Sequence, residues 1–176
     1  VCVRRALQVS RILIPHPGGV HMDNAVRINA EEHKYWNSES AGYWISQKKA
    51  LDQLLEPWAR LLLEAAELSG TEQITDVGCG TGYTSIYFAA AGADLVIGMD
   101  PRTTKMDAFR SYTKFLPQEI RSRIEMSEIR SEQIVWKDHF DVVYAQEAIS
   151  HIVDDRLFET LFNSIKPNGL LLISDG

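Results

Sequence analysis

The apolar positions of this chain follow two rhythms that alternate along its length. From Ile45 to Leu68, apolar residues recur every three or four positions (Leu51, Leu54, Leu55, Trp58, Leu61, Leu62 and Ala65), which puts them on one face of a helix and marks that face as core. Pro57 lies inside this run; it cannot donate an amide and disfavours helix at the residue before it, so the pattern predicts two helices, the second opening at Pro57. After Ser69-Gly70-Thr71 the rhythm shortens. Ile74 to Val77 reads as a buried strand and Tyr83 to Ala91 as an apolar helix; Leu95 to Met99 is a second strand. Pro101-Arg102-Thr103-Thr104 signals helix entry, with Met106, Phe109 and Tyr112 at helical spacing until Pro117. A weaker strand covers Ile124 to Ile129, and Phe140 introduces a fourth over Asp141 to Ala145. Asp154-Asp155 reads as an N-cap pair ahead of a buried stripe at Leu157, Phe158, Leu161, Phe162 and Ile165. Lys166-Pro167-Asn168-Gly169 stops that helix, and Leu170 to Ser174 is a continuous apolar run suited to a central parallel strand. Strand and helix alternating in this way predict an α/β fold, a doubly wound and mostly parallel sheet preceded by a helical cap.

The chemistry concentrates at the first strand-to-helix junction. Asp76-Val77-Gly78-Cys79-Gly80-Thr81-Gly82 joins a strand to a helix through a turn whose glycines let backbone approach a ligand closely. By itself such a turn is equally compatible with a plain structural connection. The next strand adds a second feature: it ends at Asp100, about 20 residues on, where a carboxylate can accept both hydroxyls of a ribose. The third glycine is Gly82 rather than residue 83, which is Tyr83, so the dinucleotide spacing is not met. Asp76 beside the turn would repel a phosphate and suits a ligand carrying positive charge.

Asp76 to Gly82, followed by Met99-Asp100, resembles the class I S-adenosylmethionine-dependent methyltransferases, and the resemblance runs from about Tyr35 to Gly176. It implies a Rossmann-like sheet, S-adenosylmethionine as cofactor, and methyl transfer to an oxygen, nitrogen, carbon or sulfur nucleophile. Carried over position by position, it implies a cofactor site built from Asp76, Gly78, Cys79, Gly80, Gly82 and Asp100, with Ala145 and Gln146 near the transferring methyl. Glu128 stands nearest to the place where the family meets the adenine amine, although the usual aspartate is absent and Ile129 is at about that position; Glu128 is otherwise a solvated surface residue. Tyr35 and Trp36 loosely match an aromatic pair that covers the methionine end. They belong to a stretch, with His33, Tyr43 and Trp44, that could equally pack its rings on the core. Glu147 either faces the substrate or caps the following helix. His151 has the ordinary pKa of a general base, yet the family's equivalent histidine commonly packs instead of reacting. No metal site is expected, and the alternatives to methyl transfer are a non-catalytic cofactor-binding module and a nicotinamide-dependent oxidoreductase.

Composition narrows the setting. The 176 residues suit one globular domain, and 45% hydrophobic with 24% charged residues is ordinary for such a chain. A net charge of −6 without a lysine or arginine run points to a small-molecule substrate and away from nucleic acid. The two cysteines, Cys2 and Cys79, form neither a disulfide framework nor a zinc spacing, and no apolar stretch is long enough to cross a bilayer, so a cytoplasmic, reducing setting is expected. Residues 1–21 carry Arg4, Arg5 and Arg11 without an acid and are expected to be an extension outside the fold; 22–70 form the helical cap and 71–176 the cofactor-binding domain, whose final strands are expected to lie beyond Gly176.

Overall fold

A computed structural model describes residues 5–8, 30–31, 34–35, 38, 42–43, 46–152, 154 and 156–174. Six parallel strands form one sheet: β1 (Arg5–Gln8), β2 (Gln73–Val77), β3 (Leu95–Met99), β4 (Ile124–Ser127), β5 (Phe140–Gln146) and β6 (Ile165–Ser174), in the spatial order β1-β6-β5-β2-β3-β4. The helices are α1 (Lys48–Ala65), α2 (Tyr83–Ala91), α3 (Thr103–Thr113), α4 (Gln118–Arg121) and α5 (Leu157–Ser164). The chain winds outward from β2 through β3 to β4, then returns to the other side of β2 for β5 and β6. The reversal of direction falls between β2 and β5, where open parallel sheets form a crevice beyond their carboxyl ends.

The predicted doubly wound sheet is present, and α2 and β3 occupy the residues expected of them. Side chains alternate across each strand and bury against opposite layers. Val77, Ile97, Val143 and Ala145 face a core completed by Leu157 and Leu161 of α5, whereas Ile74, Val96, Val142 and Tyr144 face Leu62 of α1 and Phe88 of α2. The Phe88 and Tyr144 rings meet edge to face, 5.0 Å between centroids.

Three expectations are corrected. The segment around Pro57 is one helix, not two: α1 runs through the proline. Gln53 and Pro57 are both exposed, so the carbonyl that loses its amide partner lies at the wet face, while Ala59, Leu62 and Ala66 are buried and hold the helix to the sheet. The predicted stripe is accordingly rotated: Leu54, Trp58 and Leu61 are 68%, 43% and 50% exposed. Ahead of α5, the N-cap is Arg156, with no side-chain cap; Asp154 instead accepts the Arg156 amide at 2.9 Å, and Asp155 lies outside the described residues. Within α5, Leu157 and Leu161 are buried and Phe158 is 39% exposed.

Residues 1–21 were expected outside the fold, yet Arg5–Gln8 pair in parallel with Leu170–Ile173 of β6 as an edge strand. Among the described residues no helix is long and apolar enough to cross a membrane.

Candidate functional site

The tips of β2, β3 and β5 are held in register: Val77 pairs with Met99 on one side and with Ala145 on the other. The glycine turn leaves from this point. Gly78 and Cys79 both donate their amides to the Met99 carbonyl, at 2.8 and 3.0 Å, so the turn is anchored to the neighbouring strand tip. Gly78, Gly80 and Gly82 have φ of 73°, 56° and 80°, the left-handed region that disfavours a side chain. A Cβ at Gly78 would stand 2.4 Å from Ala148 Cβ, and one at Gly82 would lie inside the Phe109 ring, 2.1 Å from the nearest carbon. At Gly80 the nearest atom would be an Arg102 guanidinium nitrogen, at 3.9 Å. Two of the glycines are therefore filled by packing, and Gly80 is where backbone is bare of everything but that one side chain.

Gly98 was not singled out by the sequence reading, yet it belongs to the same joint. A Cβ there would be 2.8 Å from the Phe109 ring, 3.0 Å from Cys79 Sγ and 3.0 Å from Ser85 Oγ. Cys79 is buried with its sulfur 3.9 Å from that of Met106, and burial, then the Asp76 and Asp100 charges, push its thiol pKa well up. It packs beneath the turn as an inert thiol.

Asp76 shares the α2-facing side of β2 with Ile74, two residues earlier. Its Oδ2 accepts the hydroxyls of Thr84 and Ser85, each at 2.6 Å, in the first turn of α2. Burial is the largest influence on this carboxyl and raises its pKa; the two hydroxyls lower it, the Asp100 charge raises it, and the outcome is about 6. Thr84 and Ser85 were missed as partners, although hydroxyls at the head of the helix following an acidic strand tip are a readable signal.

Asp100 is fully buried at the tip of β3, and all its acceptor capacity is used. Oδ1 takes the Arg102 amide at 2.9 Å and Arg102 Nε at 2.6 Å; Oδ2 takes the Gly80 amide at 3.0 Å and the Arg102 Nη2 group. The result is a fork-to-fork ion pair lying over Gly80. Burial would lower the Arg102 pKa, but the hydrogen bond and charge of Asp100 outweigh it and raise it. Lys105, one turn into α3, is 7% exposed; burial, then the Arg102 charge, lower its pKa to about 8 against the pull of Asp100.

The remaining predicted residues border the same edge of the sheet. Glu128 follows β4 and receives Arg110 Nη2 at 2.6 Å and, more weakly, the Thr103 hydroxyl at 3.4 Å. Ala145 is fully buried. Gln146 is held between two partners: its Oε1 accepts the Tyr144 hydroxyl at 2.8 Å, and its Nε2 donates to the Leu55 carbonyl of α1 at 3.4 Å. Glu147 has φ of 49°, an uncommon conformation for a side-chain-bearing residue, and its amide donates to the Ser174 carbonyl at 2.8 Å. The helix it was thought to cap is a single 3-10 turn, Ile149–His151, without a side-chain cap. His151 ends that turn, exposed. Tyr35 is 47% exposed; Trp36, His33 and Trp44 lie outside the described residues. No cluster of metal-ligating side chains occurs among the described residues.

Comparison with known proteins agrees with this geometry. A family profile described as a methyltransferase domain matches residues 47–175. A tRNA U34 carboxymethyltransferase of Idiomarina loihiensis is 30% identical over 117 residues, covering 66% of this chain and 36% of that protein. The mitochondrial ubiquinone biosynthesis O-methyltransferase of Bos taurus is 32% identical over 154 residues, covering 81% of this chain and 40% of the relative. Among solved structures, an S-adenosylmethionine-dependent methyltransferase from Mesorhizobium loti superposes with a TM-score of 0.55 at 26% identity, covering 67% of this chain and 52% of the other. The chain thus spans well under half the length of these two curated relatives.

Proposed function

This chain belongs to the family of methyltransferase domains, and we propose that it uses S-adenosylmethionine to methylate a nucleophilic atom of a small molecule. The observation that carries the reading is the junction at the switch point: a glycine turn bound to the tip of β3, bare at Gly80, beside the buried carboxylates Asp76 and Asp100. Two buried carboxylates suit a ligand with positive charge and are poorly suited to a pyrophosphate, which favours a sulfonium nucleoside over a nicotinamide dinucleotide.

In this reading, the turn from Gly78 to Gly80 lies against the nucleoside and Asp100 accepts its ribose hydroxyls. Asp76 keeps the turn and the head of α2 together through Thr84 and Ser85 while adding negative potential. When bound, the cofactor supplies an already activated methyl group. What is left to the protein is to orient the acceptor in line and exclude water, which contributes on the order of 7–11 kcal/mol in well-aligned systems. Gln146, fixed by Tyr144 and by the Leu55 carbonyl, presents a side chain whose rotamer is held on both sides. Glu147 and His151 follow it on the exposed lip, where a base would be needed only for an acceptor that must first lose a proton.

A small acceptor is favoured by the net charge of −6 and the absence of a basic run. The named tRNA-modifying relative makes tRNA the competing acceptor. The test is to supply methyl-labelled S-adenosylmethionine with small phenols, amines and thiols in one set of reactions and total tRNA in another. Label on a small acceptor is expected; label on tRNA alone overturns the substrate class. Asp100→Ala is expected to lose S-adenosylhomocysteine affinity about 10- to 100-fold, the scale of lost charge-assisted hydrogen bonds, read by calorimetry; unchanged affinity would mean that the ribose is held elsewhere.

A further inference from the structure

The carboxylate that would hold the ribose already holds something else. Asp100 is fully buried, and its four hydrogen bonds come from Gly80 and from three nitrogens of one residue, Arg102. The Arg102 guanidinium also provides the nearest atom to where a side chain at Gly80 would begin, so it covers the one bare position of the turn. A planar fork with two parallel donors offers a carboxylate the same pattern as a vicinal diol.

We propose that Arg102 is an internal competitor for the ribose anchor, an affinity- and specificity-setting residue whose guanidinium occupies the diol position and is exchanged for the ligand's hydroxyls on binding. This rests on the cofactor reading above. The observed affinity is then the intrinsic affinity reduced by the fraction of molecules in which Arg102 has withdrawn. A ligand presenting both hydroxyls can replace both donors; one lacking a hydroxyl leaves a buried acceptor unpaired and cannot displace the arginine on equal terms.

Withdrawal does not strand the carboxylate. Arg102 donates from its main chain as well as its side chain, and the amide stays in place as the N-cap of α3 when the side chain turns away. Lys105 remains nearby on the next turn, nearly buried, attracted by Asp100 and repelled by Arg102. Removing the guanidinium takes a like charge away from Lys105 and leaves it as the local counter-ion. The side chain of Arg102 is 16% exposed against none for Asp100, so it lies on the outer side of the pair, where an exit into solvent begins.

The experiment compares the wild-type chain with Arg102→Ala and Arg102→Lys, titrating each with S-adenosylhomocysteine, adenosine and 2′-deoxyadenosine. Thermal melts identify any variant that fails to fold, and the lysine variant, which keeps a charge but loses the fork, serves if alanine does. Arg102→Ala is expected to bind S-adenosylhomocysteine about 5- to 50-fold more tightly, with lysine in between, and to discriminate less against the deoxynucleoside. In the wild type, the Arg102 Nε–H resonance is expected to be protected in the free chain and to lose protection on adding adenosine. Tighter binding by wild type than by the folded variants would overturn the proposal, since Arg102 would then be a ligand contact. Nucleoside binding with an unmoved Nε–H signal would also overturn it while leaving the cofactor reading intact. Failure of all three probes to bind any folded variant would remove the cofactor reading, and this proposal with it.

Discussion

Asp76 shows how one residue can serve the site against the interest of the fold. Its folded pKa of about 6 lies above the ordinary value of 3.8, so the folded chain binds its proton more tightly than the unfolded chain does. The contribution of this group to stability is therefore full below pH 3.8 and lost as the pH rises through about 6. Asp76→Asn, which keeps an acceptor for Thr84 and Ser85, is expected to be more stable than wild type at pH 7 by about 1–2 kcal/mol, with the advantage vanishing near pH 4 in denaturant titrations. Glu72 behaves in the opposite sense. Its carboxylate accepts the Ser69 hydroxyl and the amides of Ser69, Gly70 and Thr71. Burial pushes its pKa up, but these bonds outweigh it and hold the group at about 2, below the ordinary 4.5. Its contribution is present above pH 4.5 and lost as the pH falls through about 2. Glu72→Ala is expected to lower stability by about 1 kcal/mol at pH 7 and to flatten the acid limb of the stability curve; an unchanged acid limb would show that the turn holds without its carboxylate.

At the scale of elements, α1 and the glycine turn make contrasting cases. Pro57 breaks a hydrogen bond in α1 without ending it, because the proline lies on the exposed side and burial of Ala59, Leu62 and Ala66 continues beneath. Pro57→Ala is expected to stabilise the chain by about 1–3 kcal/mol, measured by thermal denaturation. The strands, α2 and the ligand edge were legible because their apolar runs are buried on both faces and punctuated by glycine and proline. The helix at Pro57 was not, since a local rule about an amide cannot report that packing further along the helix outweighs it. The outward rotation of Leu54, Trp58 and Leu61 was hidden for a related reason: with apolar residues on more than half of the turn, spacing does not say which side meets the sheet. In the site, the presence of Asp100 was legible but its partner was not. Arg102 was read as part of a helix-entry signal, and only the fold shows that a residue two positions on curls back onto the strand tip.

The whole molecule is one sheet wound outward from β2, and its local stability should follow that order. β2 and β5 are hydrogen-bonded on both sides and covered by helices on both faces, whereas β4 is an edge strand with Glu125 exposed. Amide exchange is expected to be slowest at Ile74–Val77 and Val142–Ala145 and faster in Ile124–Ser127. Uniform protection across the sheet would instead indicate a single cooperative opening. The β2–β5 centre also carries the ligand edge, so the crevice is floored by the least yielding part of the chain and bordered by exposed side chains at Glu147, Ser150 and His151.

The Phe109 ring, seated in the hollow that Gly82 and Gly98 leave between a turn and its neighbouring strand, carries a last consequence. It works like a dowel: nothing about it faces the crevice, yet the two parts that shape the crevice are registered on it. A survey of mutants scored only for lost nucleoside capture would therefore return position 109 beside the true contact positions. A melting curve would tell them apart, because whatever empties the dowel hole loosens the joint before any ligand is added.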